Sequence, residues 1–348
     1  MNFDFLKENT ALLVSDFANR RYLTGFPSSY GFVLKLINKT FLFVDGRYIT
    51  AAKNTVSDEI ETICIKDLFL QINEILKQNK ISKLFVEDTV SVAEFNNFKE
   101  KFCCEVEPSK EIVSVLQKSR SVKTDSEILN IIKAQEIAEK AFTEILNYIK
   151  VGVSEKQIAN QLDFFMRDYN SEGIAFETIC VSGKNSALPH GVPSEKLVEN
   201  GDFITLDFGA VYNGYRSDMT RTIAVSYATD EMQNVYNTVL KAQNSAIEEI
   251  KSGITAAFVD AATRNIIKDN GYGDYFTHST GHGVGIEIHE YPNVSFKNND
   301  LLLENQIITV EPGIYLPEKF GVRIEDMVLV KNNSHQNLTK VAKTLIIL

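Results

Sequence analysis

The period of apolar and polar positions changes near residue 120. Before it, short apolar runs alternate with a helical pattern. FVLKLI (32–37), TFLFVD (40–45) and KLFVED (83–88) read as strands, whereas Leu68, Phe69, Ile72, Ile75 and Leu76 recur at helical spacing within 67–79. This alternation predicts a small α/β domain with a mixed sheet. The basic polar run KSRSVK (118–123) marks the boundary, giving a first domain over 1–121 and a second over 122–348.

Longer elements follow. Thr124 and Glu127 spell a capping box ahead of a helix with Ile128, Ile131, Ile132, Ile137, Ala141, Ile145 and Ile149 on one side, ending near Gly152. Ser154 and Gln157 repeat the signal before Ile158, Leu162 and Phe165. Two more helices are expected over 233–251 and 256–270, closed by Gly253 and Gly271. FITLDFGAVY, MTRTIAV, IITVEPGIYL and VRIEDMVLV read as strands grouped in hairpins, so the second domain is α+β rather than doubly wound.

Length and composition narrow the class. At 348 residues the chain fits about two domains. A net charge of −10 argues against nucleic acid or an anionic membrane surface as partner. No apolar run approaches the ~20 residues of a membrane span. The opening MNFDFLKENTALL carries Asp4 and Glu8 and no basic head, unlike a signal peptide, so a cytoplasmic location is expected. Cys64, Cys103, Cys104 and Cys180 lack C-x-x-C spacing and read as reduced thiols.

The chemistry concentrates in the second domain. Three of the five histidines, His278, His282 and His289, fall inside HSTGHGVGIEIH, among glycines that permit close backbone approach. The segment has neither H-E-x-x-H nor G-x-G-x-x-G spacing. Asp207 interrupts one apolar strand and Asp218 begins the next, with the turn dipeptide Asn213-Gly214 between them. With those two residues as the loop, 212 pairs with 215 and 209 with 218. Asp207 and Asp218 then share a face as diagonal neighbours, roughly 5–8 Å apart. Gly209, opposite Asp218, would leave space for ions beside them. Glu311 and Glu325 interrupt two further strand-like runs, and Arg323 shares a side with Glu325. Buried carboxylates are costly unless paired or metal-bound. Asp207, Asp218, Glu311, Glu325 and one histidine make an oxygen-rich set, and four carboxylates balance two divalent cations. Oxygen ligands favour Mn, Fe or Co.

SALPHG (186–191), TLDFGAVYNGYRSDMTRT (205–222), HSTGHGVGIEIHEYP (278–292), TVEPGIY (309–315) and GVRIED (321–326) together resemble the pita-bread metallopeptidases of the prolidase and aminopeptidase P type. RYLTGF (21–26) and VDGRY (44–48) resemble the creatinase/prolidase N-terminal domain more loosely. The resemblance implies an α+β pita-bread (creatinase/aminopeptidase-like) catalytic domain preceded by a smaller α/β domain. It implies two divalent metal ions, Mn foremost, with Co, Fe or Zn as alternatives. Asp207 would chelate one metal, Asp218 and Glu325 would bridge both, and His282 and Glu311 would hold the second. Water between the ions would be the nucleophile, with Glu311 as its proton acceptor. His190 and His289 would flank the site and stabilise the tetrahedral intermediate. Arg323 would orient Glu325, and His278 would line a proline pocket. His335, in the polar NNSHQN segment, reads as solvated surface.

The activity so implied is an Xaa-Pro aminopeptidase acting on short peptides with proline second, in a homodimer. Xaa-Pro dipeptidase (prolidase) is the alternative. Three others are weaker. A methionine aminopeptidase would share the five metal positions but usually lacks the first domain and Arg323. A metal-free creatinase-like hydrolase, or a non-enzymatic binding member of the fold, would have lost ligands. A strict dipeptidase must grip the substrate's terminal carboxylate. The segment after His289, EYPNVS, read as a loop, has Asn293 where family dipeptidases often supply arginine, which favours the aminopeptidase. Arg21 or Arg47 of the first domain could still donate a cation.

Overall fold

The computed structural model describes residues 6–348, which divide into two compact units, one ending at Arg120 and the other beginning at Ser121.

The first unit is a six-stranded mixed sheet with helices. Its strands are β1 (Thr10–Val14), β2 (Gly31–Lys35), β3 (Thr40–Val44), β4 (Ile60–Cys64), β5 (Lys83–Glu87) and β6 (Glu105–Ser109), in the order β4-β3-β2-β1-β5-β6. β1 runs antiparallel to β2 and parallel to β5. The helices are α1 (Phe17–Thr24), α2 (Ile49–Thr55), α3 (Leu68–Gln78), α4 (Val92–Lys101) and α5 (Lys110–Ser121). Leu13, Leu34, Phe43, Leu84 and Val86 pack with Ile72, Leu76 and Phe98 on one face of the sheet. Leu12, Val14, Val33, Leu42 and Val44 pack with Ala52, Ile112 and Leu116 on the other. A sheet covered on both faces needs apolar residues at consecutive positions, hence runs such as FVLKLI and TFLFVD. The edge strands β4 (IETIC) and β6 (EVEPS) are more polar and carry little of that signal. Residues 118–121 of the run KSRSVK form the last turn of α5.

In the second unit, α6 (Asp125–Tyr148) and α7 (Glu155–Asp168) both begin with the capping boxes read from the sequence. Five short strands follow, β7 (Ile179–Ser182), β8 (Phe203–Phe208), β9 (Val211–Tyr212), β10 (Tyr215–Arg216) and β11 (Met219–Ala224). The helices α8 (Asp230–Glu249) and α9 (Ala256–Asp269) precede β12 (Gly281–Gly283), β13 (Glu290–Val294), β14 (Ile307–Val310), β15 (Gly313–Leu316), β16 (Phe320–Arg323), β17 (Asp326–Val330) and β18 (His335–Asn337). The larger sheets have the orders β11-β8-β7 and β13-β12-β14-β17-β18.

Each helix pair covers one group of strands. Phe142, Ile145, Leu162 and Met166 of α6 and α7 meet Ile204, Leu206 and Phe208 of β8. Side chains alternate along a strand, so Thr205 and Asp207 point to the face away from that core. On the other side, Val235, Val239 and Ile267 of α8 and α9 meet Ile314, Val322 and Ile324, while Val259 meets Ile308, Val310 and Val328.

Runs read as single strands are broken at their acidic residues. IITVEPGIYL becomes β14 and β15, and VRIEDMVLV becomes β16 and β17. β14–β17 and β15–β16 keep one common register, so Glu311 falls opposite Glu325 in the interrupted stretch. The segment after His289 is also a strand, β13, paired with β12, and not a loop. His335 is not a solvated turn residue: it opens β18, is half-buried, and its Nδ1 lies 3.3 Å from the Ile250 carbonyl. All four cysteines are free thiols, and no helix among the described residues is long and apolar enough to cross a membrane.

Candidate metal centre

Two interrupted hairpins deliver the carboxylates. In the first, Tyr212 pairs with Tyr215 and Phe208 with Met219, the register anticipated from the Asn213-Gly214 turn. Asp207 is thus opposite Thr220, and Gly209 opposite Asp218. The reason for Gly209 differs from the expectation. A Cβ there would lie 1.9 Å from the Ser217 carbonyl oxygen, so backbone, not an ion, fills that space.

A third element brings the histidine. Gly281 and Gly283 flank His282 because a Cβ on either would strike backbone, 2.0 Å from the Thr309 oxygen and 2.4 Å from the Tyr291 oxygen respectively. Gly281→Ala should therefore force β12 off β14. The expected cost is about 1–3 kcal/mol of stability, with reduced metal affinity as His282 moves, read by urea unfolding and metal content.

The donors converge. Ligand atoms of Asp218, His282 and Glu325 all lie within 4.8 Å of one another. His282 Nε2 is 3.5 Å from both Asp218 Oδ2 and Glu311 Oε1. Its Nδ1 lies 3.1 Å from the Gly283 carbonyl, which assigns the proton to Nδ1 and leaves the Nε2 lone pair facing the carboxylates. Asp207 stands beside this group, and its buried Oδ1 has no hydrogen-bond partner among the described residues.

Arg323 grips Asp207 directly and reaches Glu325 through Thr220. Its Nη2 donates to Asp207 Oδ2 at 2.6 Å, and its Nε donates at 3.1 Å to Thr220 Oγ1, which in turn donates to Glu325 Oε2 at 2.7 Å. Nη1 donates to the Tyr315 hydroxyl at 2.9 Å and to the Pro189 carbonyl at 3.1 Å. Tyr315 Oη lies 2.9 Å from His278 Nε2, and His278 Nδ1 lies 2.8 Å from the Ser279 carbonyl. Thr220 and Tyr315 were not among the candidate residues. The hairpin register that places Thr220 opposite Asp207 was the one signal pointing to the first.

The electrostatics are those of crowded acids. Burial, then the charges of Glu325, Asp207 and Glu311, push Asp218 well above the usual carboxylate range. Burial, then Glu311 and Asp207, do the same to Glu325. Burial pushes Glu311 up to about 8, against the pull of Arg323. Burial lowers Arg323, but Tyr315, Asp207 and Glu311 outweigh it and hold the guanidinium well above its ordinary value. Burial lowers His278 and His282 to about 4, so both are neutral near pH 7. An acceptor-rich pocket with one orphaned oxygen and a neutral imidazole fits divalent cations, which relieve repulsion that one arginine cannot.

His190 and His289 lie at the exposed rim. The His289 ring meets His282 edge-on at 4.3 Å, and burial lowers its pKa against the pull of Asp207.

Helix pairs around interrupted hairpins, with carboxylates and a histidine converging at the interruptions, define a pita-bread metallohydrolase. The chain belongs to metallopeptidase family M24, whose model matches residues 130–332; the creatinase/prolidase N-terminal domain matches residues 7–122. It is 41% identical over 345 residues to the Xaa-Pro dipeptidase of Pyrococcus furiosus, covering 98% of this chain and 97% of that protein. An Xaa-Pro dipeptidase structure from Bacillus anthracis superimposes with a TM-score of 0.94 at 42% identity, over 97% and 95% of the two chains. The X-Pro aminopeptidase structure from Thermotoga maritima gives 0.90 at 37% identity, over 99% of each.

Proposed function

We propose that the chain is an Xaa-Pro aminopeptidase with a dinuclear centre, a catalytic domain over 122–348 and a creatinase/prolidase-type domain over 1–121. The observation that carries the reading is the convergence of Asp218, His282 and Glu325 beside the orphaned oxygen of Asp207. Asp207, Asp218, His282, Glu311 and Glu325 would hold two divalent cations, with Mn suited to the oxygen-rich set and Co, Fe or Zn as substitutes. Such ions supply Lewis acidity and bring the pKa of water towards neutrality. With Arg323, the four carboxylates and two divalent cations would carry one net positive charge, which favours loss of a proton from a water held there. Glu311 accepts the proton at a carboxylate oxygen. His190 and His289 donate from the rim to the developing oxyanion and to the leaving nitrogen. Arg323 acts as a positioning residue, gripping Asp207 directly and Glu325 through Thr220. His278, fixed by Tyr315, lines the wall that receives the proline ring. Proline's nitrogen bears no N–H, so a site that accepts its ring replaces the grip of general peptidases. The enzyme would be cytoplasmic and homodimeric.

The dipeptidase reading is favoured by the names of the Pyrococcus and Bacillus relatives. The aminopeptidase is favoured by Asn293 and the lack of any arginine in β13. Exhaustive chelation should abolish hydrolysis of Xaa-Pro peptides, and Mn or Co should restore it; full activity without metal would refute the centre. Comparing kcat/KM for an Xaa-Pro dipeptide and the same peptide extended by two residues decides specificity. A dipeptide preference above about a hundredfold, ~2.7 kcal/mol, makes it a dipeptidase.

A further inference from the structure

Glu155, the first residue of α7, is wholly buried and remote from the carboxylate cluster in sequence. Its Oε1 accepts from the Ser182 N–H at 2.6 Å, the Ser182 hydroxyl at 3.0 Å and Asn185 Nδ2 at 3.0 Å. Its Oε2 accepts from the Ser194 N–H at 3.0 Å and the Ser194 hydroxyl at 2.6 Å. One carboxylate thus joins both ends of the segment 183–194, at whose centre stands His190. The backbone N–H groups of Glu155 and Lys156, which a helix start leaves without internal partners, donate to the carbonyls of Lys196 and Ser194.

The middle of the segment is tied elsewhere. The Gly321 N–H donates to Ser186 Oγ at 2.8 Å, and Arg323 Nη1 holds the Pro189 carbonyl. His190 itself is exposed. The backbone that carries it is held by Arg323 in the middle and by Glu155 at the ends.

We propose that Glu155 is a positioning residue that holds the His190 loop in its working geometry. This rests on the role given to His190 above. Each oxygen of Glu155 faces a backbone N–H, of Ser182 on Oε1 and of Ser194 on Oε2, and a backbone donor cannot reverse. Glutamine has the same shape but must turn its NH2 against one of those donors, so it breaks the clamp with little change in volume. A displacement of about 1 Å at a reacting group costs up to ~10²-fold in rate.

The test is a double-mutant cycle on Xaa-Pro peptide hydrolysis by the metal-loaded enzyme. Glu155→Gln should lower kcat by about 10–100-fold with metal content unchanged. In the His190→Ala background the same substitution should cost less than about threefold, because no imidazole remains to misplace. Equal losses in both backgrounds would overturn the proposal and make Glu155 a general structural residue. If Glu155→Gln fails to fold, Ser194→Ala, which removes one donor, takes its place in the cycle under the same criterion. Hydrogen exchange supplies a readout independent of catalysis. Exchange over 183–194 should accelerate in Glu155→Gln while that of β8 stays put, and unchanged exchange over 183–194 would overturn the clamp. Wild-type turnover in His190→Ala, with exchange accelerated in Glu155→Gln, would refute the role of His190 but leave the clamp standing.

Discussion

Asp218→Asn should lower kcat/KM by at least ~10³-fold, about 4 kcal/mol of transition-state stabilisation, while leaving the fold intact. Asp218 is the carboxylate that meets His282 at 3.5 Å and shares the 4.8 Å cluster with Glu325, so removing its charge weakens the most convergent part of the pocket. The same change has the opposite sign for stability. Without metal, Asp218 is opposed by Glu325, Asp207 and Glu311, and an uncharged amide relieves that repulsion. The chelated variant should melt no lower than the chelated parent, and the order should reverse when Mn is added. Thermal midpoints with chelator and with Mn, beside metal content per chain, read both effects. Two tightly held ions with normal turnover would refute the assignment.

Arg221→Met should be the most damaging single change away from the pocket, costing about 3–5 kcal/mol because it strands a buried acid. Arg221 is among the largest fully buried side chains. It donates to Asp326 Oδ1 at 2.8 Å, to the Glu325 and Thr220 carbonyls at 2.6 and 2.9 Å, and to the Val341 carbonyl at 2.9 Å. One side chain thus fastens β11, the break before β17 and the C-terminal segment. In a unit of this size the melting temperature should fall on the order of 10 °C. Lysine should rescue only in part, since its point charge cannot serve five acceptors spread around a planar fork. An unchanged midpoint for Arg221→Met would show that Lys343, 3.0 Å from Asp326, and Asn337, which donates to it at 2.7 Å, compensate for the loss.

The sequence made some of this architecture legible and concealed the rest for physical reasons. Capping boxes at Thr124 and Ser154 are local devices and could be read residue by residue. The Asn213-Gly214 turn fixed a register that carried through to Asp207 and Thr220, because a two-residue loop leaves the strands no slack. The breaks at Glu311 and Glu325 were hidden because apolar residues continue on both sides and only the partner strands change. The contact of Arg323 with Asp207 was hidden too. Sharing a side with Glu325 says nothing about which carboxylate a long side chain reaches, and Asp207 is 116 residues away along the chain. The Glu155 network fell outside the motifs entirely, since its partners are mostly backbone N–H groups and serines.

The two interrupted hairpins also bear on how the molecule holds together in time. Asp207 and Asp218 belong to the interrupted hairpin backed by α6 and α7, and Glu311 and Glu325 to the one backed by α8 and α9. Each half builds most of its hydrophobic layer from neighbouring segments, and Phe203 and Ala224 of the first half add to the layer of the second. The acids meet only after the ends of a very long stretch of chain come together, a closure that packs Ile128 and Ile131 of α6 against Ile307, Met327 and Leu329 but also sets four carboxylates against one another. Occupied by cations, the pocket becomes a rivet between two layers whose clustered carboxylates otherwise repel one another. The metal-loaded unit should then unfold as one cooperative block, while the stripped one is left free to open along the line of its own carboxylates.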